Sequence, residues 1–512
     1  MVYSFLELVR LQTCCACSQV LQSMAAAFSN MKKPLRVMKF GGTSVGDASC
    51  IARVAQIVAG AARESSIVVV VSAMRGVTNH LIEAASRAEA NDRNHVARLF
   101  ESLRKQHADA LAVLINSDAK RHILAESMRE TFAKAQRLCE GTSLLRELTP
   151  RALDSLSSVG ERLSAPIIAG ALAELEVRSE PVDATELILT DDSHGAAQPV
   201  METTRERSRS RLVPLLEQGI VPVVTGFIGA THHGVLTTLG RGGSDYSATI
   251  LGAALDADEV IIWTDVDGVL TADPRLVPEA RTIPEISYRE AAELAYFGAN
   301  VLHPKTLRPV MPKSIPVWIR NSFTPDRPGT KITAHGQSNG GGVKALTAIK
   351  DVALIAVGGP GIVGLPDVVG RTFSTTADVR ANVLLISQSS SQNDICFIVA
   401  AADAKKTVEA LRKEFAQDVA HEKVEHITVD PNIAIVAVVG ENMHGTPGVA
   451  GRTFSALGRE GVNIIAIAQG SSEFNISFVV EEKHVKTALA AVHREFGLGA
   501  PATAELSESL RS

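Results

Sequence analysis

The sequence predicts an α/β protein in which a large three-layer domain is followed by two copies of a small domain. From residue 36 to about residue 334, short apolar runs alternate with helical stretches, as in a sheet covered by helices. The run at 67–71 is apolar throughout, which is typical of a strand buried on both faces. Beyond residue 336 one sequence pattern appears twice, which indicates a duplicated domain.

Strands of the large domain are predicted at five places, namely 36–40, 67–72, 221–227, 259–264 and 316–320. The stretch between residues 81 and 148 is predicted to be mostly helical, because polar and apolar residues interleave there. Helices are also predicted at 51–62 and 248–255, each after a glycine-rich turn.

Composition narrows the class of protein. The net charge of −5, from 51 basic and 56 acidic residues, provides no basic field for nucleic acid. The six cysteines lack a zinc-binding spacing, which favours a reduced interior and a cytoplasmic location. Residues 1–33 are too polar to span a membrane and lack the basic start of a secretory signal. We expect this extension to be disordered or to precede the true start, with a targeting peptide as the less favoured alternative.

Two glycine-rich turns, far apart in the chain, stand where a strand passes into a helix. The first is Lys39-Phe40-Gly41-Gly42 and the second contains Arg241 and Asp245. Glycine lets backbone N–H groups approach a ligand closely, and a helix N-terminus favours phosphate. The two turns therefore predict a site for a polyphosphate and a charged small molecule. Neither a P-loop nor a strand-linked G-x-G-x-x-G is present.

The duplication has a fixed offset. The pentapeptide GRTFS at 370–374 recurs at 451–455, an offset of 81, which Gln388 and Gln469 also share. The order of strands and helices in each copy predicts a small ferredoxin-like unit, with ligand sites where two such units meet. We therefore divide the chain into an extension at 1–33, the large domain at 34–336, a polar linker at 337–346, repeats at 347–428 and 429–497, and a tail at 498–512.

Five motifs stand out along the large domain, namely KFGGTSVGD from residue 39, SVGERLSA at 158–165, GRGGSDYSA at 240–248, TDVDGVLTADPR at 264–275 and FGANVLHPKTL at 297–307. Together they resemble those of the aspartokinases, which belong to the amino acid kinase superfamily. The repeats resemble the paired ACT domains at the tail of that family. The segments around Gln388 and Gln469 look closest to the threonine-sensitive branch, often fused to homoserine dehydrogenase. Only residues 498–512 follow the second repeat, so we expect no dehydrogenase part.

The resemblance implies ATP-dependent phosphorylation of the β-carboxylate of L-aspartate, the first step towards lysine, threonine and methionine. Its implied catalytic residues are Lys39 and Asp245. Its implied aspartate-binding residues are Thr78, Glu161, Arg241 and Ser244. From spacing alone, Glu161 would be taken for a solvated helix residue, and only the resemblance gives it a role.

The implied ATP-binding residues are Lys39, Phe40, Gly41, Gly42, Thr264, Asp265, Leu270, Asp273, Arg275, Asn300 and Val301. The chain departs from the family at two of them, with leucine at 270 where tyrosine is frequent and asparagine at 300 where lysine is frequent. Asp273-Pro274-Arg275 could equally form a plain turn. Mg²⁺ is implied by ATP chemistry, although no protein cage for the metal is visible.

In the repeats, the resemblance assigns Gln388 and Gln469 to an effector amino acid, threonine or lysine, because an amide offers both a donor and an acceptor. Pairing of such domains favours a homodimer or homotetramer. Two other functions stay open. One is a non-catalytic amino-acid sensor, suggested by Leu270 and Asn300, and the other is a kinase for glutamate, carbamate or a nucleotide.

Overall fold

The computed structural model describes residues 33–298, 302–336, 342–359, 366–388, 394–441, 443, 446–468 and 474–499. Predictions for residues 1–32 and 500–512 lie outside these ranges, as do those for Asn300, Val301 and Gln469. Within the ranges, none of the helices combines the length and apolarity needed to cross a membrane.

The large domain is built on an eight-stranded sheet. The strands of this domain, in chain order, are β1 (Leu35–Phe40), β2 (Ser66–Val71), β3 (Ser179–Val182), β4 (Val221–Thr225), β5 (Ile228–Ala230), β6 (Leu236–Thr238), β7 (Glu259–Thr264), β8 (Glu285–Ser287), β9 (Val317–Asn321) and β10 (Thr330–Thr333). In the sheet they lie in the order β3-β4-β2-β1-β7-β9-β10-β8, and all neighbours are parallel except β9 and β10. Strands β5 and β6 form a separate antiparallel pair.

Helices cover both faces of the sheet. They are α1 (Ala48–Ala62), α2 (Val77–Glu89), α3 (Arg93–Leu114), α4 (Asp118–Leu145), α5 (Pro150–Ser157), α6 (Val159–Glu174), α7 (Met201–Glu217), α8 (Gly243–Leu255) and α9 (Tyr288–Tyr296). Val68 and Val70 of β2 pack in one core, whereas Val69 and Val71 pack in the other, and all four are fully buried. This burial on two faces confirms the predicted three-layer architecture.

Two helices begin earlier than the sequence predicts. The prediction placed the start of α8 at residue 248, but the helix begins at Gly243, because residues 243–247 at the end of the glycine-rich segment are already helical. The low helix propensity of glycine hides this start. The prediction for α1 was residue 51, whereas Asp47 caps the helix and accepts from the Cys50 N–H at 2.9 Å.

The two small units share one six-stranded antiparallel sheet. Their elements are β11 (Val343–Gly358), α10 (Pro366–Asp378), β12 (Val383–Gln388), β13 (Asp394–Ala400), α11 (Ala401–Glu414), α12 (Ala416–Ala420), β14 (His426–Gly440), α13 (Val449–Arg459), β15 (Ala466–Ala468), β16 (Asn475–Glu481) and α14 (Val485–Glu495). The strand order is β12-β13-β11-β14-β16-β15. In each unit one helix follows the central strand (β11 or β14) and another follows β13 or β16, and Phe397 and Phe478 fill equivalent cores.

The boundary between large domain and repeats differs from the sequence division. Strand β11 begins at Val343, so the end of the predicted linker at 337–346 is strand rather than flexible chain. Its first half pairs with residues 435–440 of β14, and its second half pairs with 426–433 and with β13. The long strands β11 and β14 therefore each pair with strands of both repeats.

Contacts within the two repeats confirm the duplication. The Arg371 Nε lies 2.7 Å from Glu414, and the Arg452 Nε lies 3.0 Å from Glu495, which is the same pair 81 residues later. Each guanidinium also lies over the aromatic ring that follows its glutamate. The sequence repeat is therefore a repeat of tertiary contacts.

Candidate active site

A cleft of about 840 Å³ opens at the carboxyl ends of the central parallel strands. Strands β1 and β7 are neighbours, and the Gly41 N–H extends their pairing by donating to the Trp263 carbonyl at 3.2 Å. The first turns of α2, α6 and α8 also line the cleft, so partial positive charge of three helix N-termini is directed there. The sequence-predicted residues that line it are Lys39, Gly41, Gly42, Thr78, Glu161, Arg241, Ser244, Asp245 and Thr264.

Lys39 and Asp245 form an ion pair across the cleft wall. The Lys39 Nζ lies 2.5 Å from the Asp245 Oδ1, and the two side chains are only 9% and 15% exposed. Lys39 comes from β1 and Asp245 from the first turn of α8, so the pair joins the two glycine-rich turns. A lysine held this way keeps its ammonium in one place and loses little side-chain entropy when an anion arrives.

The two turns use glycine for different reasons. A Cβ at Gly41 would lie 3.2 Å from the Lys39 Nζ, so a side chain there would crowd the ammonium. Gly242 has φ of +70°, and a Cβ there would lie 2.7 Å from the Cβ of His303. The second turn therefore needs glycine for its backbone geometry, whereas glycine in the first turn leaves room for the ammonium.

Glu161 is a buried carboxyl group and not a solvated helix residue. It lies in the first turn of α6 and is 3% exposed. Burial raises the pKa of Glu161 to about 8, although a hydrogen bond from the Ala73 backbone partly offsets the rise. Its Oε2 has no hydrogen-bond partner in the described part of the chain. A buried acceptor without a partner suits a cationic group of a ligand.

Three further residues complete the polar lining. Arg241 is exposed at the cleft and has no carboxylate partner among the described residues, so its guanidinium is available to an anion. Thr78 on α2 and Ser244 on α8 present hydroxyl groups from two other sides. Cations, hydroxyls and the buried carboxyl group of Glu161 therefore surround a single space.

Only some of the residues that are predicted to bind the nucleotide line this cleft. Thr264 lines the cleft, and its hydroxyl donates to Asp265 at 3.2 Å. The Phe40 side chain is fully buried and stacks on Trp263, so only its backbone reaches the turn. Asp265 and Leu270 do not line the cleft.

Asp273 and Arg275 pair with each other. The Arg275 Nη2 lies 2.7 Å from Asp273, whose carboxylate also accepts from the Arg275 backbone N–H at 2.9 Å. Such a contact is typical of a plain turn, the alternative that the sequence left open, and a role of these residues in ATP binding stays a prediction. Neither residue lines the cleft.

Two cleft residues were missed by sequence reasoning. Asp154, from α5, is 2% exposed and accepts from the His194 Nδ1 at 2.7 Å and the Gly195 N–H at 3.1 Å. It thereby fixes the loop beside the second glycine-rich turn. Arg75 also lines the cleft and is exposed. A lone aspartate in a short helix and a lone arginine in a loop give no motif that could have revealed either.

In the small units, Gln388 is exposed at the end of the edge strand β12. Its counterpart Gln469 lies outside the described residues.

Comparison with known proteins first defines the class. The amino acid kinase family model matches residues 34–321, and an ACT domain model matches 355–415 and 436–496. The chain therefore belongs to the amino acid kinase family and carries two ACT domains.

Individual relatives narrow this to the aspartokinases. The chain is 38% identical over 470 residues to bifunctional aspartokinase/homoserine dehydrogenase 1 of Arabidopsis thaliana, covering 90% of this chain and 51% of that relative. It is 32% identical to aspartokinase 1 of the same plant, covering 80% of it. Both relatives are named as chloroplastic. The chain thus spans about half the length of the bifunctional relatives and most of the monofunctional one.

Solved structures give the same family. Escherichia coli aspartokinase III, in complex with aspartate and ADP, is 31% identical with a TM-score of 0.75, over 90% of this chain and 99% of that one. The same enzyme in complex with lysine and aspartate gives a TM-score of 0.74 at 30% identity. The resemblance and the fold expected from the five motifs are confirmed.

Proposed function

We propose that this chain transfers the γ-phosphoryl group of ATP to the β-carboxylate of L-aspartate, giving 4-phospho-L-aspartate. One observation supports this most strongly. A single cleft holds the Lys39–Asp245 pair together with Arg241 and the buried Glu161. The reaction is the first step towards lysine, threonine and methionine, and the family's structure with aspartate and ADP supports both substrates.

The acceptor needs no general base. A β-carboxyl group has a pKa of about 3.9 and is ionised at neutral pH. The site must instead offset the charge of two reacting anions and align them. Lys39 neutralises charge on the transferring phosphoryl group, while Asp245 holds the lysine in place across its 2.5 Å contact.

Recognition of aspartate uses opposite charges at fixed positions. Arg241 pairs with the α-carboxylate, to which a guanidinium can donate two parallel hydrogen bonds. Glu161 accepts from the α-ammonium, and its unpartnered Oε2 is the atom available for this contact. Thr78 and Ser244 donate from their hydroxyl groups.

Mg²⁺ is proposed to enter with the nucleotide. Among the described residues there is no cluster of three or more metal-ligating side chains, which suits a metal held mainly by phosphate oxygens, water and one carboxylate. Asp245, which lines the cleft, is the carboxylate that we assign to this role. When bound, the metal would offset phosphate charge in the transition state.

The direct test is formation of an acyl phosphate, trapped as the hydroxamate, from ATP, Mg²⁺ and L-aspartate. We expect Lys39→Ala to lower kcat by about 10²–10³-fold, the usual effect of removing one preorganised electrostatic contact. Lys105→Ala is the matched control, because Lys105 is 75% exposed and outside the cleft. Amino-acid binding without hydroxamate would favour the sensor, and hydroxamate from glutamate but not aspartate would favour another acceptor.

Feedback regulation is proposed to act through the ACT domains. The relative from Escherichia coli has a structure with lysine, and the two units here share one sheet that can link their ligand sites. Threonine or lysine should inhibit the assay, and Gln388→Ala should weaken the inhibition while leaving uninhibited kcat unchanged. Inhibition of equal strength in the variant would exclude Gln388.

We also propose a homodimer or homotetramer. Strand β12 lies at an edge of the small-domain sheet with Ile386 51% exposed, so its backbone and side chain are open to a second copy. Light scattering after gel filtration tests this, and a monomer at micromolar concentration would contradict it. A cytoplasmic location stays a prediction.

A further inference from the structure

Three arginines surround a second cavity, of about 360 Å³, in the large domain. Arg36 comes from β1, Arg53 from α1 and Arg320 from β9, and Trp263 of β7 lines the same space. None of these residues lines the active-site cleft. The cavity is therefore a separate feature, between the sheet and the side of α1.

The charges around this arginine cavity do not balance. Glu259 is the carboxylate in contact with it, accepting from the Trp318 indole N–H at 2.8 Å and lying 2.6 Å from the Arg36 Nε. Arg53 and Arg320 have no carboxylate partner in the described ranges, and their guanidinium groups lie over aromatic rings instead. Three positive charges thus face one negative charge.

Two buried donors at the cavity also lack acceptors. The Trp263 side chain is 4% exposed, and its indole N–H has no hydrogen-bond partner among the described residues. The Arg320 Nε is likewise buried without a partner. Burial and the neighbouring Arg36 lower the pKa of Arg320, so its charge is held at a cost in free energy. Buried donors are normally satisfied, so a missing acceptor is indicated here.

We propose that the arginine cavity binds a small anion that carries phosphate groups. Guanidinium forks match phosphate oxygens with paired hydrogen bonds, and the excess of positive charge suits a doubly charged group. Trp263 donates its indole N–H to the same ligand. The volume exceeds that of a single phosphate, so the ligand is a diphosphate or a phosphorylated small molecule.

The chain itself supplies a local probe. Its only two tryptophans are Trp263, which lines the cavity, and Trp318, whose ring lies 4.7 Å from the Arg320 guanidinium carbon. Titration of the full chain with pyrophosphate should therefore give a saturable change in tryptophan fluorescence. The same titration of Lys39→Ala excludes a signal from the active-site cleft and should give the same dissociation constant.

The double variant Arg53→Gln/Arg320→Gln should bind pyrophosphate at least tenfold more weakly, with kcat for aspartate unchanged. Arg63→Gln is the matched control, because Arg63 is exposed at the end of α1 and outside the cavity. If the double variant does not fold, Arg53→Gln alone replaces it, since this side chain projects from a helix.

Each other outcome overturns the proposal. If sodium chloride at equal ionic strength gives the same change in fluorescence, the signal comes from unspecific screening of charge. Saturation by succinate but not pyrophosphate would show a carboxylate site. If pyrophosphate causes no saturable change in fluorescence, or if the double variant binds it as tightly as the wild type, the cavity is not an anion site. Water would then be the acceptor for the buried N–H groups of Trp263 and Arg320.

Discussion

Raising the pH from 6 to 8 should tighten aspartate binding through Glu161. Burial raises the pKa of this carboxyl group to about 8. Its ionised fraction is then about 1% at pH 6, about 9% at pH 7 and about half at pH 8. If only the ionised form binds the α-ammonium, the apparent affinity scales with this fraction. KM for aspartate should fall about ninefold between pH 6 and 7 and about fivefold between pH 7 and 8.

The assay is hydroxamate formation at saturating ATP, with KM for aspartate measured at each pH. Glu161→Gln keeps the shape of the side chain and removes the charge. We expect it to raise KM by about 10–100-fold, the effect of losing a hydrogen bond to a charged group, and to abolish the pH dependence. Glu64→Gln, on the exposed surface, is the control.

A flat KM for aspartate in the wild-type enzyme would refute the reasoning, as would a glutamine variant that keeps the wild-type pH profile. KM for ATP serves as an internal reference, because the proposed contact of Glu161 is with aspartate alone. A parallel change in both constants would indicate a general effect of pH on the cleft.

Three further substitutions test the geometry. Gly41→Ala should lower kcat but not the melting temperature, because the new Cβ would lie 3.2 Å from the Lys39 Nζ and displace the ammonium; the hydroxamate assay and a circular-dichroism melt measure the two effects. Asp154→Asn should raise KM for aspartate by about tenfold, because a weaker acceptor loosens the loop that it holds beside the cleft. Lys344→Met should cost about 3–5 kcal/mol in urea unfolding, because it leaves the buried Glu290 carboxylate without its cationic partner at 2.8 Å and with the Ser287 N–H as its remaining donor among the described residues.

Each of these expectations has a clear contrary result. An unchanged kcat in the alanine variant would mean that the first turn tolerates a side chain. An unchanged KM in the asparagine variant would remove Asp154 from the site. A methionine variant as stable as the wild type would show that the buried pair between α9 and β11 adds nothing to the contact of the two domains.

Local sequence was sufficient for most of the fold but not for strand pairing in the small units. The apolar run of β2 requires cover on both faces, and the offset of 81 fixes two similar units. The pairing of residues 343–349 with residues 435–440 depends on tertiary contacts between distant segments, and nothing in either segment specifies its partner. The predicted linker, which ended at residue 346, therefore included the first residues of β11.

Candidate site residues could be predicted from the sequence where they directly follow the end of a strand. Lys39 and Arg241 stand at glycine-rich turns, and the structure brings both to one cleft. Asp154 could not be found in this way, because its burial comes from a loop that folds over α5. The burial of Glu161 was hidden for a similar reason, since a helix pattern does not reveal which face lies beside a ligand.

The raised pKa of Glu161 also helps to explain how a cleft that contains carboxyl groups can bind two anions. In the free protein at pH 7 this group is mostly protonated, so it does not repel the carboxylates of an approaching aspartate, and Asp245 is already paired with Lys39. When the aspartate ammonium arrives, it favours the ionised form, and the proton leaves to solvent. Binding of aspartate at pH 7 should therefore release about 0.9 proton. Calorimetry in two buffers of different ionisation enthalpy measures this number. If the wild-type protein releases no proton, or if Glu161→Gln releases as many protons as the wild type, the raised pKa of Glu161 plays no part in aspartate binding.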